Sequence, residues 1–529
     1  LAAFVTVLWL ATLSLRPLFN PDEGRYAEIP REMLSGGDWL IPHLNGLDYI
    51  EKPPLQYWAT ALSLSVFGQG EFGARLYTAL CALGAVLAAA LIAARLSGAA
   101  AALRTAAMLS SMLLFLIMGQ LLTLDMSLTL YVTLALGGFL AAQSATPPRQ
   151  RGWMLLAWSA TALGVLTKGP VAAAIPAAVL VMYSLYARDF APWRRLHAAL
   201  GLPLFLLIAV PWYWLAARRL PDFLQFFFIH EHVARYLTPS ADREEVWWFF
   251  GAVFLLGCLP WTLPALRVMF LGWRRPARGG AFDAALFLRI WVWFVLVFFS
   301  ASDSKLIPYV LPAFPALAVL LGALPEDVLK RDLTRTALLT LGVALVLALL
   351  CRYAPGRLPA SDRNAYFLAL GGPLAQVAAL LGASGLYVLA QRRRDVTRAA
   401  VFLGVGWCLA GLLVMRGAAA VAPIYAGEPL IRAVVPADAT VYSVGTYDQT
   451  LPFYWRRTVQ LVAYRGELDY GLRHAPRAEI SLPQFLERWR AEPGSFAVME
   501  RTMFDALKSQ GIPMREIARN ATRVLVARS

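Results

Sequence analysis

Thirteen long apolar runs, most of them separated by only short polar stretches, restrict this chain to a bundle of membrane helices. They lie near residues 1–19, 76–95, 102–121, 126–144, 152–167, 170–187, 197–217, 246–270, 283–301, 306–324, 336–352, 366–391 and 398–416. A helix needs about 20 mostly apolar residues to cross the hydrocarbon layer. Charged residues make up only 15% of the chain, against about 25% in soluble domains. The runs 152–167 and 170–187 are parted only by Lys168-Gly169-Pro170, and a Gly-Pro step is a natural helix break. The chain opens at Leu1 inside an apolar run that no small-residue cleavage site follows. This predicts a retained first helix with a short tail before it.

The net charge of +15 does not indicate nucleic acid, because the basic residues form no stripe interleaved with aromatics. They gather instead in one alternating set of short loops, including Arg149 and Arg151; Arg188, Arg194 and Arg195; and Arg392, Arg393 and Arg394. Short basic loops mark the cytoplasmic side. The opposite set, 20–75, 218–245, two very short loops near 122–125 and 302–305, and the C-terminal tail, then faces outward. Cys81, Cys258, Cys351 and Cys408 sit in or beside apolar runs without CxxC spacing and read as small helix residues.

From about residue 420 the composition turns polar. Short β-rich runs at Thr440–Val444, Val459–Ala463, Phe496–Met499 and Val524–Ala527 alternate with helical patterns near 482–491 and 501–510. The pattern predicts a small soluble α/β domain over 420–529, without a phosphate-binding glycine loop.

The first outer loop carries the densest chemistry, NPDEGRYAEIPREML followed by LDYIEKPPLQYW. Asp22 and Glu23 directly follow the first span, and Arg25 can share a helix face with Asp22. Such residues also cap juxtamembrane helices, so alone they point to no reaction. Lysine is scarce, at five against 43 arginines, yet Lys52, Lys168 and Lys305 all fall at outer ends of spans. One such lysine would be a snorkelling side chain; three together point to an anionic ligand held at that depth. Asp125, in LLTLDMS, sits in a connection too short for a free loop, where it is either a helix cap or a site acid. IHEHVARY supplies His230, Glu231, His232 and Arg235, and His232 with Glu51 would make only an incomplete zinc ligand set. SDSKLIPYVLPAFP adds Lys305 and Tyr309 on a proline-broken helix.

These motifs (the DE pair, RYAEI, GDWLIPHLNG, EKPP, TKGP, EHVARY and SKLIPYVLP) together resemble the membrane glycosyltransferases of the protein O-mannosyltransferase superfamily. Among these, the chain looks most like the bacterial undecaprenyl-phosphate aminoarabinose transferases that modify lipid A. The resemblance runs over the whole chain. It implies an α-helical polytopic membrane protein of GT-C fold, with about thirteen transmembrane helices over 1–419 and a periplasmic α/β domain over 420–529. It implies Asp22 and Asp125 as the essential acids. Lys52 matches the EKP lysine, Lys168 the TKGP lysine, and His232 and Arg235 the EHxxR pattern.

On this resemblance the donor is an aminosugar on undecaprenyl phosphate and the acceptor a lipid A phosphate, with polymyxin resistance as the consequence. Arg25, Tyr26, Tyr49, Lys52, Lys168, Arg235, Lys305 and Tyr309 are the candidates for holding donor and phosphate. Cations there would stabilise the leaving lipid phosphate, and direct displacement would invert the anomeric centre. No cofactor is obligatory; zinc at Glu51 and His232 is an optional addition. The expected partners are the lipid-linked donor, lipid A and membrane lipids, with the chain a monomer in the bacterial inner membrane and its active site facing the periplasm. The rivals are a protein O-glycosyltransferase of the same fold and a secondary transporter. The transporter is disfavoured because the charges cluster on one side and no inverted repeat appears.

Overall fold

Alanine, leucine and valine dominate the apolar runs, and in lipid such residues must close their backbone hydrogen bonds within the segment, so the runs wind into helices. The computed structural model describes residues 2–234, 245–273, 281–357 and 362–528. Among the described residues six helices are long and apolar enough to cross a membrane: Glu71–Ser111, Leu124–Gln143, Ala198–Arg219, Glu326–Tyr353, Gly371–Gln391 and Val396–Tyr425. Thirteen were expected. The difference has physical causes. Glu71–Ser111 carries one expected span and part of the next, merged across a kink at Gly98, where φ is 85°. Other runs are cut short. Phe249–Gly257 and Thr262–Phe270 are separate helices, and Ile307–Ala313 is a tight 3-10 turn leading into Phe314–Gly322. The expected break at Gly169-Pro170 is present: Pro147–Lys168 ends there, Gly169 has φ 79°, and Val171–Ala187 begins.

Small residues let the helices approach closely. A Cβ on Gly322 would lie 2.1 Å from Thr105 Oγ1, so only glycine allows Phe314–Gly322 to lie against Glu71–Ser111. Among the four cysteines, Cys81, Cys258 and Cys408 are buried, and none is in a disulfide.

Between the first helix and Glu71–Ser111 lie the helix Asp22–Gly36, a hairpin of His43–Leu44 with Leu47–Asp48, and the helix Leu55–Phe67. The C-terminal segment forms a six-stranded sheet. Its order is Glu479–Ile480, Gln460–Val462, Val441–Val444, Phe496–Glu500, Arg523–Ala527, Arg515–Arg519. The first four strands run parallel and the last two pair antiparallel. Helices Leu482–Ala491 and Arg501–Ser509 fall where expected, the first opened by a Ser481–Gln484 capping box. Arg515–Arg519 was not expected. It is a charged edge strand with no buried residue, so it lacks the apolar alternation that announces a strand.

The Asp22–Gly36 helix docks on this sheet segment. A Cβ on Gly24 would meet the Gln449 backbone at 2.6 Å, so the contact requires glycine. Asn45 mimics a strand neighbour, donating to the Val459 carbonyl at 2.9 Å and accepting from the Val459 amide at 2.8 Å. The Leu18 amide donates to the Tyr454 hydroxyl at 2.8 Å, and Tyr470 donates to Asp222 at 2.8 Å.

Candidate active site

Asp22 and Glu23 are neighbours in sequence, but successive side chains on a helix point about 100° apart, and the two part company. Glu23 turns inward and is 2% exposed. Arg16 Nη1 reaches it at 2.5 Å and Arg75 Nε at 2.7 Å, while the Phe19 and Leu122 amides donate at 2.9 and 3.0 Å. Burial alone would raise its pKa; the two guanidinium groups outweigh it and hold the carboxyl well below the usual range. Glu23 is thus a charged anchor that ties the segment after the first helix (Ala2–Ala11), Glu71–Ser111 and the connection before Asp125 together. Asp22 turns outward. Its side chain is 51% exposed, with Arg25 Nη2 at 3.5 Å.

Arg25 is buried and joins both halves of the chain. Its Nε meets Glu467 Oε2 at 2.9 Å and its Nη1 donates to the Tyr49 hydroxyl at 3.1 Å. Burial would lower its pKa, but Tyr49, Glu467, Tyr26 and Asp22 raise it, so the guanidinium stays charged. Burial pushes the Glu467 carboxyl up against the pull of Arg25, and Glu51 and Asp22 push the same way. Arg25 thus faces two carboxylates, Glu467 at 2.9 Å and Asp22 at 3.5 Å. Tyr26 lies tilted beside Tyr57 with ring centroids 6.1 Å apart, and the buried Tyr57 hydroxyl has no hydrogen-bond partner among the described residues.

Two of the three outer lysines are held by acids. Lys52 Nζ lies 3.1 Å from Glu231 Oε2 and donates to the Glu51 carbonyl at 2.9 Å. Lys168 pairs with Asp125 and lies 4.8 Å from the centre of the Tyr309 ring. Lys305 is 8% exposed and has no ion pair among the described residues. Arg235 and the His232 side chain lie outside the described residues. Among those described, no three His, Cys, Asp or Glu side chains converge to hold a metal.

Beneath the lysines is a buried bracket. Gln56, one turn past Lys52, accepts from Ser127 Oγ at 2.5 Å and directs its amide nitrogen to Thr60 and Thr78 at 3.4 and 3.3 Å. Ser127 lies two residues beyond Asp125. Gln56 thus fastens the start of Leu55–Phe67, which follows Lys52, to the start of the helix bearing Asp125 and to Glu71–Ser111. Its only signal in the sequence is a polar amide at the head of an apolar helix. Glu467, in RGELDYG, has no local signal at all.

With this geometry in view, two family descriptions match the chain: dolichyl-phosphate-mannose-protein mannosyltransferase over residues 1–227 and aminoarabinose transferase C-terminal domain over 428–528. The undecaprenyl phosphate-alpha-4-amino-4-deoxy-L-arabinose arabinosyl transferase of Pseudomonas paraeruginosa is 34% identical over 518 residues, covering 94% of this chain and 91% of that protein. This chain belongs to the undecaprenyl-phosphate aminoarabinose transferase family. The Aeromonas salmonicida relative is 30% identical over 496 residues, 90% of this chain and 88% of its own. The crystal structure of ArnT from Cupriavidus metallidurans bound to undecaprenyl phosphate superposes with a TM-score of 0.90 at 33% identity, covering 100% of this chain and 97% of that one. The chain shares with the aminoarabinose transferases a polytopic helical membrane fold and a β-containing C-terminal segment.

Proposed function

We propose that this chain is a glycosyltransferase that moves 4-amino-4-deoxy-L-arabinose from undecaprenyl phosphate onto lipid A phosphate groups at the periplasmic face of the inner membrane. The observation that carries the reading is the likeness, over the full length, to a transferase structure that holds undecaprenyl phosphate. We also assign residues 1–419 to the membrane unit and 420–529 to a periplasmic domain, which puts the clustered charges outside.

The side chains suit this chemistry. Breaking the anomeric C–O bond leaves negative charge on the lipid phosphate, and Lys52, Lys168 and Lys305 are the cations proposed to receive it. Before the donor arrives, Glu231 and Asp125 neutralise two of them, so exchange of carboxylate for phosphate keeps the buried charge balanced. Tyr309 orients Lys168 through its ring face. The acceptor phosphate is already an oxyanion, so no strong base is needed. Asp22 and Glu467, with Glu51, are instead the carboxylates we assign to the positively charged amine of the sugar. Attack by the acceptor opposite the leaving phosphate inverts the anomeric centre.

The test is to incubate the purified full chain with the undecaprenyl-linked aminosugar and lipid A, then examine the lipid A by mass spectrometry. The reading requires one added sugar per phosphate, with inverted configuration. Unmodified lipid A beside intact donor would refute it.

A further inference from the structure

The helices that carry Asp125 and Lys168 also line an apolar cavity of about 350 Å³. Leu136, Phe139, Met154, Trp158, Leu180 and Phe205 form its apolar walls. At a rise of 1.5 Å per residue, Trp158 is about 15 Å along its helix from Lys168 and Phe139 about 21 Å from Asp125. The cavity shares the helices of the charged site: its rim at Trp193 and Leu196 lies toward their other end, while Ala173, five residues past Lys168, lines it nearer that site. Its few polar lining atoms are already satisfied: Thr161 donates to the Ala157 carbonyl at 2.8 Å, Trp158 Nε1 to the Leu196 carbonyl at 2.9 Å and Trp193 Nε1 to Ser184 at 2.8 Å. Water would find no partners there, and an empty void would forfeit its dispersion contacts. The occupant is therefore apolar.

The rim says more about the occupant. Trp193 and Leu196 line the cavity, and Arg194 and Arg195 sit between them. Arg151 lies one turn before Met154, on the face that continues through Met154 and Trp158 into the cavity wall. All three arginines are exposed, and none has a carboxylate partner among the described residues. Arg195 also donates to the Gln143 carbonyl, while the nearby acid, Asp189, is engaged with the Ala191 amide. We propose that this cavity binds an acyl chain of an anionic phospholipid, with its phosphate headgroup held by Arg151, Arg194 and Arg195. The distal end of an isoprenoid tail carries no charge and would leave these cations unanswered.

Native mass spectrometry of the full chain, titrated separately with phosphatidylglycerol, phosphatidylethanolamine and undecaprenyl phosphate, tests this. The wild type should retain phosphatidylglycerol about tenfold better than phosphatidylethanolamine, the scale expected of two or three cations at a headgroup. R194Q/R195Q should erase that preference while leaving phosphatidylethanolamine retention unchanged. Ala177, an exposed residue of the lining, offers a filling variant, A177F, which should lower retention of both phospholipids. Equal retention of the two phospholipids by the wild type would overturn the proposal. So would retention that neither variant changes, or displacement of phosphatidylglycerol by undecaprenyl phosphate in a chain bearing K52A, in which the outer phosphate site is weakened.

Discussion

Glu23→Gln and Asp22→Asn change adjacent acids on one helix and should have opposite effects. Glu23 lies between Arg16 and Arg75 at 2% exposure. Removing its charge strands two buried guanidinium groups, a change that costs about 3–5 kcal/mol, or a factor of about 10² or more in the folded-to-unfolded ratio. Asp22, half exposed and 3.5 Å from its arginine, contributes less than about 1 kcal/mol. Melting of the detergent-solubilised protein, followed through its 17 tryptophans, should drop sharply for Glu23→Gln and stay near the wild type for Asp22→Asn. Transfer to lipid A should vanish in Asp22→Asn while that variant remains folded. A Glu23→Gln protein that melts like the wild type would refute the anchor assignment. An Asp22→Asn protein that transfers sugar normally would remove Asp22 from the site.

The Glu23 carboxyl is held below its ordinary value of 4.5, so its contribution to stability is fully present above that pH and is lost as the pH falls below it. The wild type should lose melting temperature on acidification in that range, and Glu23→Gln should lose less. Gln56→Leu breaks the bracket between Leu55–Phe67, just after Lys52, and the helix of Asp125. It should lower kcat/KM by about tenfold, and Ser127→Ala added to it should cost little more, because both remove one interaction. Glu467→Gln leaves Arg25 without its closest carboxylate. It should weaken the preference for a free-amine donor over the same sugar acylated on nitrogen, measured by competition between the two donors.

The membrane helices were legible because apolar length and Gly-Pro breaks are local properties, and the split at Gly169 follows directly from them. The central strands of the C-terminal sheet were legible for the same reason, whereas the exposed edge strand Arg515–Arg519 lacked the alternation that marks the others. The number of spans was less legible: hydropathy shows an apolar run but not where a proline or kink divides or merges helices. The candidate site was legible as residue types and not as pairs. Lys168 and Asp125 both stood out, but their contact spans 43 residues of sequence and depends on how two helices pack. Glu467 reaches Arg25 only because the Asp22–Gly36 helix docks on the C-terminal sheet segment, a tertiary event with no trace in RGELDYG.

The most direct test of the central claim, that outer lysines hold the phosphate of a lipid-linked donor, is the affinity of the purified full chain for undecaprenyl phosphate, with Lys52→Ala and Lys168→Ala beside the wild type. The account predicts tight binding by the wild type, and at least about tenfold weaker binding by each folded variant, since each lacks one charge-assisted contact to the phosphate. Undiminished binding by both folded variants would contradict it.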